Sequence, residues 1–308
     1  MQKLLVISIV TYFSVILVAG AQGVQKNVDV YFSDFGKQKT NVHALESLSK
    51  ESDKFDLLRS ISRYAKDSNE NFRGEAYRLL AGFVEESDPK PVKQFALSVV
   101  LQGLDDFQPE VVSNVVSLLK KFKPSYFTSK DISQILKSSR RNGYSGEHLK
   151  LLGYIGGENT KDSLKSIQVR EVVSANSQWS MSLALARMGD EGSISIVLSR
   201  LEKIKTEGSS LILLLPDFGY VKQKKIYDKL IEILLDGSLQ CRSMNPSSSN
   251  LIPCGYYVIS EVAKGIEGFP VEVDEFGELL DDFSVAQQKT RKWLADNKGK
   301  YLLKIYNY

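Results

Sequence analysis

Residues 76–83 read AYRLLAGF, and the spacing within this stretch decides the fold that the chain is predicted to adopt. Counting back from Phe83, apolar residues stand three, four and seven places earlier, at Leu80, Leu79 and Ala76. Residues at these intervals share one face of an α-helix. The stretch therefore predicts an amphipathic helix with one buried side.

The same spacing recurs along the chain and indicates an internal repeat. Five further segments carry apolar residues at these intervals, and only His148 interrupts the pattern. Successive segments lie 30 to 48 residues apart, which leaves room for one further helix and two turns in each interval. The five segments end at Phe122, Ile155, Met188, Phe218 and Ile266.

Each interval also contains a second helical pattern, often with cap signals at its start. The pair Ser52-Asp53 stands at the start of the first helix of this set, Asp88 precedes Pro89, and Thr128 is followed three places later by Asp131. The chain is therefore predicted to be all-α, built from repeated helix–turn–helix units. The intervening helices are expected at residues 52–66, 89–104, 128–141, 160–173, 191–204 and 222–235.

Two short motifs in this repeat resemble HEAT repeats, especially the short bacterial HEAT-like kind. The turn at residues 69–76 reads NENFRGEA and is similar to the Asp/Asn-x-x-Val-Arg-x-x-Ala turn of that family. The helix end at residues 152–156 reads LGYIG and is similar to the family's Leu-Gly-x-Ile-Gly. In this chain the Val-Arg pair is clear only as Phe72-Arg73.

The resemblance implies an α-α superhelix, a HEAT-like solenoid in which about six helical pairs cover one another's apolar faces. On this interpretation the repeats span residues 52–283, with an insertion at residues 237–254. Capping segments are expected at residues 22–51 and 284–308, because the terminal pairs of a solenoid need a cover.

Residues 1–21 have the three parts of a secretory signal peptide. Lys3 supplies the positive start, residues 4–18 are uncharged and mostly apolar, and residues 19–21 are small. The alternative is an uncleaved membrane anchor, although an apolar run of roughly 15 residues is shorter than the ~20 that span a bilayer. We expect cleavage before Gln22, export to the periplasm or the extracellular space, and no transmembrane segment in the mature chain.

The chain has two cysteines, Cys241 and Cys254, which flank a segment rich in Ser, Asn and Pro. In an oxidising compartment they are expected to form a disulfide. Closing a loop of this size stabilises a protein by about 3 kcal/mol in the chain-entropy model. A metal site is the weaker alternative, because no His lies near the pair.

Composition narrows the class of protein. The chain is 43% hydrophobic and 25% charged, which is typical of a folded globular protein. Forty Lys+Arg against 37 Asp+Glu give a net charge of +3, which argues against a nucleic-acid-binding surface. No cofactor motif is evident, so neither a cofactor nor a metal is expected.

The repeat also defines an outward face on the second helix of each pair. In HEAT solenoids this helix usually lines the concave surface on which partners bind, so the resemblance implies a partner-binding face. We predict that this mildly basic strip binds an acidic protein segment or an anionic glycan. The alternative is a solvated helix face, with weak Arg78–Glu75 and Lys150–Glu147 pairs. The candidate partner-binding residues are Arg78, Lys121, Lys150, Tyr154 and Arg187.

The remaining chemical candidates have structural alternatives. His148 stands in an apolar column, where a buried core residue is the simpler interpretation than a general base. Trp179 and the pair Tyr256-Tyr257 are expected to pack in a core, with stacking on sugar rings as the alternative.

The sequence therefore predicts an exported, non-catalytic HEAT-repeat scaffold that binds a protein or an anionic glycan. One alternative is an α/α-toroid enzyme acting on polysaccharides, which requires either two carboxylates facing across a cleft or a Tyr/His/Arg cluster. The other is an inhibitor or immunity protein for a secreted enzyme.

Overall fold

The computed structural model describes residues 23–39, 42–51, 53–204, 209–243, 250–274, 278–297, 299–306 and 308. The predicted signal peptide at residues 1–21 lies outside these ranges, so export stays a prediction. The chain divides into two compact units that meet at the Ser138–Ser139 bond, and each is described by itself. Within the described ranges, no helix has both the length and the apolarity to cross a membrane.

The first unit is helical from its first described residue. Helix α1 covers residues 23–36, and α7 (Ser129–Arg141) runs across the boundary between the units. Short 3-10 turns follow α3, α5 and α6 at Tyr64–Lys66, Gly103–Asp105 and Pro124–Tyr126. The helices between α1 and α7 are α2 (Val42–Ser49), α3 (Lys54–Ser62), α4 (Glu70–Gly82), α5 (Lys90–Gln102) and α6 (Pro109–Leu119).

The second unit is also helical, with one short hairpin. The hairpin strands are β1 (Gln240–Arg242) and β2 (Leu251–Pro253). The all-α prediction is therefore confirmed, and the intervening helices begin and end within about four residues of the predicted positions. The helices of this unit are α8 (Gly146–Ile155), α9 (Glu158–Arg170), α10 (Ala175–Arg187), α11 (Glu191–Ile204), α12 (Ser209–Val221), α13 (Lys224–Leu235), α14 (Gly255–Gly265) and α15 (Phe283–Asn297).

Two of the three predicted cap signals act as caps. The Asp53 carboxylate accepts a hydrogen bond from the Asp56 N–H at 3.0 Å and so begins α3. Thr128 and Asp131 form a reciprocal box, in which the Thr128 N–H donates to the Asp131 carboxylate at 2.8 Å. Asp88 is the exception, because its carboxylate accepts from the N–H of Glu85 in the preceding turn.

The repeated apolar spacing marks the core. The residues three and seven places before each segment end are all buried, including His148 at 3% exposure. Leu80, Leu119, Leu152 and Leu185 are each fully buried. The positions that remain half-buried are Phe83, Ile155, Met188 and Leu214.

Helices two apart along the chain pack against each other within each unit. In the first unit α4 packs against α6, and α3 packs against α5. In the second unit α8, α10, α12 and α14 form one row, while α11 packs against α13. Each apolar face is thus covered by a neighbouring pair, which is how repeat proteins build a core. A single solenoid over residues 52–283 stays a prediction.

A buried ion pair joins the first turns of α4 to the turn before α6. The Arg73 guanidinium donates to both carboxylate oxygens of Asp106, at 2.7 and 2.9 Å, and to the Asp67 carbonyl at 2.9 Å. Both charged side chains are about 5% exposed or less, and Arg73 also lies over the Phe107 ring at 4.5 Å. Removing one partner from such a pair costs about 3–5 kcal/mol, because the other charge is left buried.

The predicted disulfide between Cys241 and Cys254 is present. Cys241 lies on β1 opposite Ile252 of β2, and Cys254 precedes the first residue of α14. The two Cα atoms are 4.9 Å apart, and both side chains are buried. The bond therefore joins the inserted hairpin to the start of a core helix, while residues 244–249 of the insertion lie outside the described residues.

Replacing Leu152 by Ala is expected to lower the free energy of unfolding by about 2–5 kcal/mol, because it opens a cavity at a fully buried position. Leu213→Ala is the matched control, since Leu213 is 80% exposed and its loss should change stability by no more than about 0.5 kcal/mol. Urea unfolding followed by circular dichroism measures both. Equal losses for the two variants would contradict the assignment of the buried face.

Candidate functional site

The first unit carries a groove formed by α1, α4 and α6, which we call the α4–α6 groove. It consists of two adjoining depressions of about 570 and 500 Å³. Phe35, Asn71, Glu75 and Arg78 line both depressions, so the two form one continuous surface.

Helical periodicity explains why these side chains share one surface. Asn71, Glu75 and Arg78 are four and three residues apart on α4, which places them on the side opposite the buried Leu80. The same intervals on α6 bring Glu110, Asn114, Ser117 and Lys121 to the second depression. The outward positions that the sequence repeat marks in this unit are therefore lining residues of the groove.

A compact polar cluster forms the centre of the groove. The Tyr31 hydroxyl donates to the Glu75 carboxylate, and Arg78 donates to the same carboxylate through Nε at 2.7 Å. Burial, together with Glu75, raises the pKa of Tyr31 to about 12, so this phenol stays a donor at physiological pH. The pair of Arg78 with Glu75 is the one that the solvated-face alternative predicts. Arg78 therefore contributes a compensated charge to the groove, although half of its side chain is exposed.

Lys150 in the second unit is paired with a residue that the sequence pattern did not indicate. Its ammonium donates to Asp217 on α12 at 2.6 Å, whereas the sequence analysis paired it with Glu147. The Trp179 indole N–H donates to the other oxygen of Asp217, also at 2.6 Å. Asp217 is 67 residues away in sequence, beyond any helical periodicity. Lys150 is thus a compensated and mostly buried cation.

Trp179 and the pair Tyr256-Tyr257 make ring contacts with other side chains of the second unit. The Trp179 ring meets Phe218 edge to face at 6.5 Å, and the guanidinium of Arg200 lies 4.2 Å from its centroid. Tyr256 and Tyr257 pack edge to face at 5.4 Å. All three residues are half-buried, and Trp179 and Tyr257 pack against the hydrophobic core of the second unit.

The predicted exposure of Tyr154 is wrong, and Arg187 also lies in a covered position. Tyr154 is 6% exposed, and its hydroxyl donates to the Tyr306 carbonyl at 3.1 Å. The Arg187 guanidinium lies over the rings of Tyr154 and Tyr220, at 5.2 and 4.7 Å, and burial lowers its pKa. Ile305, Tyr306 and Tyr308 lie against this face, which a helical repeat pattern does not encode.

The structure therefore separates the five predicted partner-binding residues into two groups. Arg78 and Lys121 line the α4–α6 groove of the first unit. Lys150, Tyr154 and Arg187 make contacts within the second unit. Their role in binding a partner stays a prediction, and the groove adds Tyr31, Phe35 and Asn71, which sequence analysis missed.

His148 lies in the core of the second unit. It is 3% exposed, and its Nδ1 is 2.7 Å from the Ser145 hydroxyl. Burial lowers its pKa to about 4; the negative charge of Glu147 opposes this shift, and the positive charge of Arg141 adds to it. The imidazole is thus neutral at physiological pH, which agrees with the structural alternative. Among the residues with described positions, no group of three or more His, Cys, Asp or Glu side chains could hold a metal ion.

Comparison with known proteins leaves the function to be argued from geometry. No family model, no curated protein and no solved structure matches this chain. The α4–α6 groove and the covered face of α8, α10 and α12 are therefore the features on which functional inference rests.

Acid is expected to destabilise the protein through His148. In the unfolded state the His148 imidazole binds a proton below its ordinary pKa of 6.5. In the folded state the buried imidazole binds a proton only near pH 4. The stabilising contribution is therefore complete above pH 6.5 and is lost as the pH falls, by about 3 kcal/mol between pH 7 and pH 4. Urea unfolding at the two pH values should show this loss in the wild type, and a smaller one in His148→Leu. Equal losses would show that another group is responsible.

Proposed function

We propose that the chain is an exported HEAT-like scaffold that binds an extended segment of a protein partner in the α4–α6 groove. The observation that carries this proposal is the continuity of two depressions across the outward faces of α4 and α6. Each depression alone has the volume of a small-molecule site. Together they suit a polymer that crosses several helices.

The lining of the groove offers hydrogen bonds that match a peptide backbone. The side-chain amides of Asn71 and Asn114 are exposed, and neither hydrogen-bonds to another described residue. An amide group presents donors and an acceptor together, as a peptide unit does. Two such groups on neighbouring helices support binding of an extended main chain.

Aromatic residues at one end of the groove supply an apolar contact. Phe35 and Phe72 are half-buried, and their ring centroids lie 5.8 Å apart. Both rings line the first depression beside Tyr31. An apolar side chain of the bound segment would lose contact with water there, which contributes affinity that hydrogen bonds alone do not supply.

The charges of the groove favour a protein segment over an anionic glycan. Its basic lining residues are Lys39, Arg78 and Lys121, and its acidic ones are Glu70, Glu75 and Glu110. A site for a polyanion needs a surplus of cations, because each buried anionic group requires a partner. Equal numbers of both signs suit a peptide of mixed charge.

Export is supported by the disulfide. A bond between two buried cysteines is typical of proteins that fold in an oxidising compartment. This is consistent with the signal-peptide pattern of residues 1–21.

Peptides selected from a random phage-displayed library on the purified protein are expected to bind the groove. The double variant Asn71→Ala/Asn114→Ala should weaken their binding by roughly 10- to 30-fold, because two hydrogen bonds of about 1 kcal/mol each are lost. Ser98→Ala is the control, since Ser98 is exposed on α5 and bonds to its own helix. Isothermal titration calorimetry measures all three proteins.

Two results would contradict the proposal. The first is equal affinity of the selected peptides for the wild type and the groove variant. The second is the absence of binding peptides combined with salt-sensitive binding of a sulfated glycan, which would assign the groove to polyanions.

A further inference from the structure

In the second unit, a segment of the chain itself lies on the face formed by α8, α10 and α12. We call the described residues at this end of the chain, 301–306 and 308, the strap. Its first half pairs with the chain that follows α14. The Glu267 N–H donates to the Leu302 carbonyl, and the Lys304 N–H donates to the Gly265 carbonyl, both at 2.9 Å.

Beyond Lys304 the strap lies on α8, α10 and α12 through a small number of contacts. The Ile305 carbonyl accepts from Arg187 Nη2 at 2.9 Å, and the Tyr306 carbonyl accepts from the Tyr154 hydroxyl at 3.1 Å. The Tyr308 ring lies 5.5 Å from the rings of Tyr154 and Tyr220.

These contacts use the main chain of the strap more than its side chains. The side chains of Ile305 and Tyr306 are largely in water, since the residues are 52% and 66% exposed. Main-chain carbonyls are common to every peptide, so the two hydrogen bonds select an extended segment without selecting its sequence. The Tyr308 ring is the sequence-specific element, because it packs against two tyrosines.

The receiving groups are held in place by residues outside the strap. Arg187 Nη1 donates to the Tyr220 carbonyl at 2.6 Å, and the Tyr220 hydroxyl donates to the Lys150 carbonyl at 2.6 Å. Tyr220 is itself 6% exposed. The donors that face the strap are therefore preorganised by α8, α10 and α12, which lowers the cost of binding another segment in the same place.

We propose that this face of α8, α10 and α12 is a second peptide-binding surface, kept occupied by Ile305, Tyr306 and Tyr308 until an extended, tyrosine-bearing segment of a protein partner displaces them. The inference goes beyond the proposed function and does not rest on it, because none of these residues belongs to the α4–α6 groove. Main-chain carbonyls would take the two hydrogen bonds, and an aromatic ring would take the place of Tyr308.

A covalently attached occupant competes at a high effective concentration, so deleting it should expose the surface. The probe is a fluorescein-labelled peptide of sequence Gly-Ser-Gly-Ile-Tyr-Asn-Tyr, and its binding is measured by fluorescence anisotropy. The deletion variant lacking residues 305–308 is expected to bind the probe at least about tenfold more tightly than the full chain. A probe in which the last Tyr is Ala is the control and should bind weakly to both.

Tyr154→Phe in the deletion variant tests the geometry, because it removes one hydroxyl donor and keeps the ring. We expect a roughly fivefold weaker complex with the probe. Circular dichroism melting establishes that each variant is folded. If the deletion variant does not fold, the Tyr308→Ala variant of the full chain is measured in its place. Loss of the Tyr308 ring contacts should weaken the binding of the strap and so increase the affinity for the probe.

Two outcomes would overturn the inference. In one, the probe binds neither the deletion variant nor the Tyr308→Ala variant. The same conclusion follows if all the proteins bind the probe and the Ala control peptide with equal affinity. In the other, the full chain sediments as a dimer that is lost on deletion of residues 305–308, which assigns the surface to strap exchange between two copies. Because the groove variant Asn71→Ala/Asn114→Ala keeps the strap, failure here is distinguishable from failure of the proposed function.

Discussion

The apolar face of one helical pair leaves water only when a neighbouring pair covers it. Leu80, Leu119, Leu152 and Leu185 are all fully buried, and each stands on a helix that packs against the second helix of a neighbouring pair in its own unit. Helices of 10 to 13 residues are marginal alone and gain most of their stability from such packing. Because the apolar sides are used in this way, the polar sides of the second helices are left to form surfaces for other molecules.

The two units use these polar sides differently. In the first unit the side formed by α4 and α6 is an open groove with exposed amides and half-buried rings. In the second unit the side formed by α8, α10 and α12 carries Ile305 and Tyr306, held through their main-chain carbonyls, and the ring of Tyr308. An intramolecular peptide on one such face is physical support for the idea that these faces suit extended polypeptide.

Charge compensation explains why the predicted basic strip is less positive than its arginine and lysine residues alone would make it. Arg78 is bound to Glu75, and Lys150 is bound to Asp217. Arg187 is surrounded by tyrosine rings and donates to carbonyl groups, so its charge is screened by a different means. Recognition on these surfaces therefore depends on hydrogen bonds and ring contacts more than on net charge.

The sequence by itself determined the helices, their buried faces and the disulfide, because helical periodicity, capping and short-loop closure are local properties. Only the tertiary structure decided that Asp217 pairs with Lys150 and that Tyr31 joins Glu75. It also decided that Ile305 and Tyr306 lie against Arg187 and Tyr154. These partners are separated by 44 to 152 residues, so no repeat spacing connects them. Their contacts exist because stacked helices bring distant parts of the chain to one surface, where unsatisfied donors and charges then find partners.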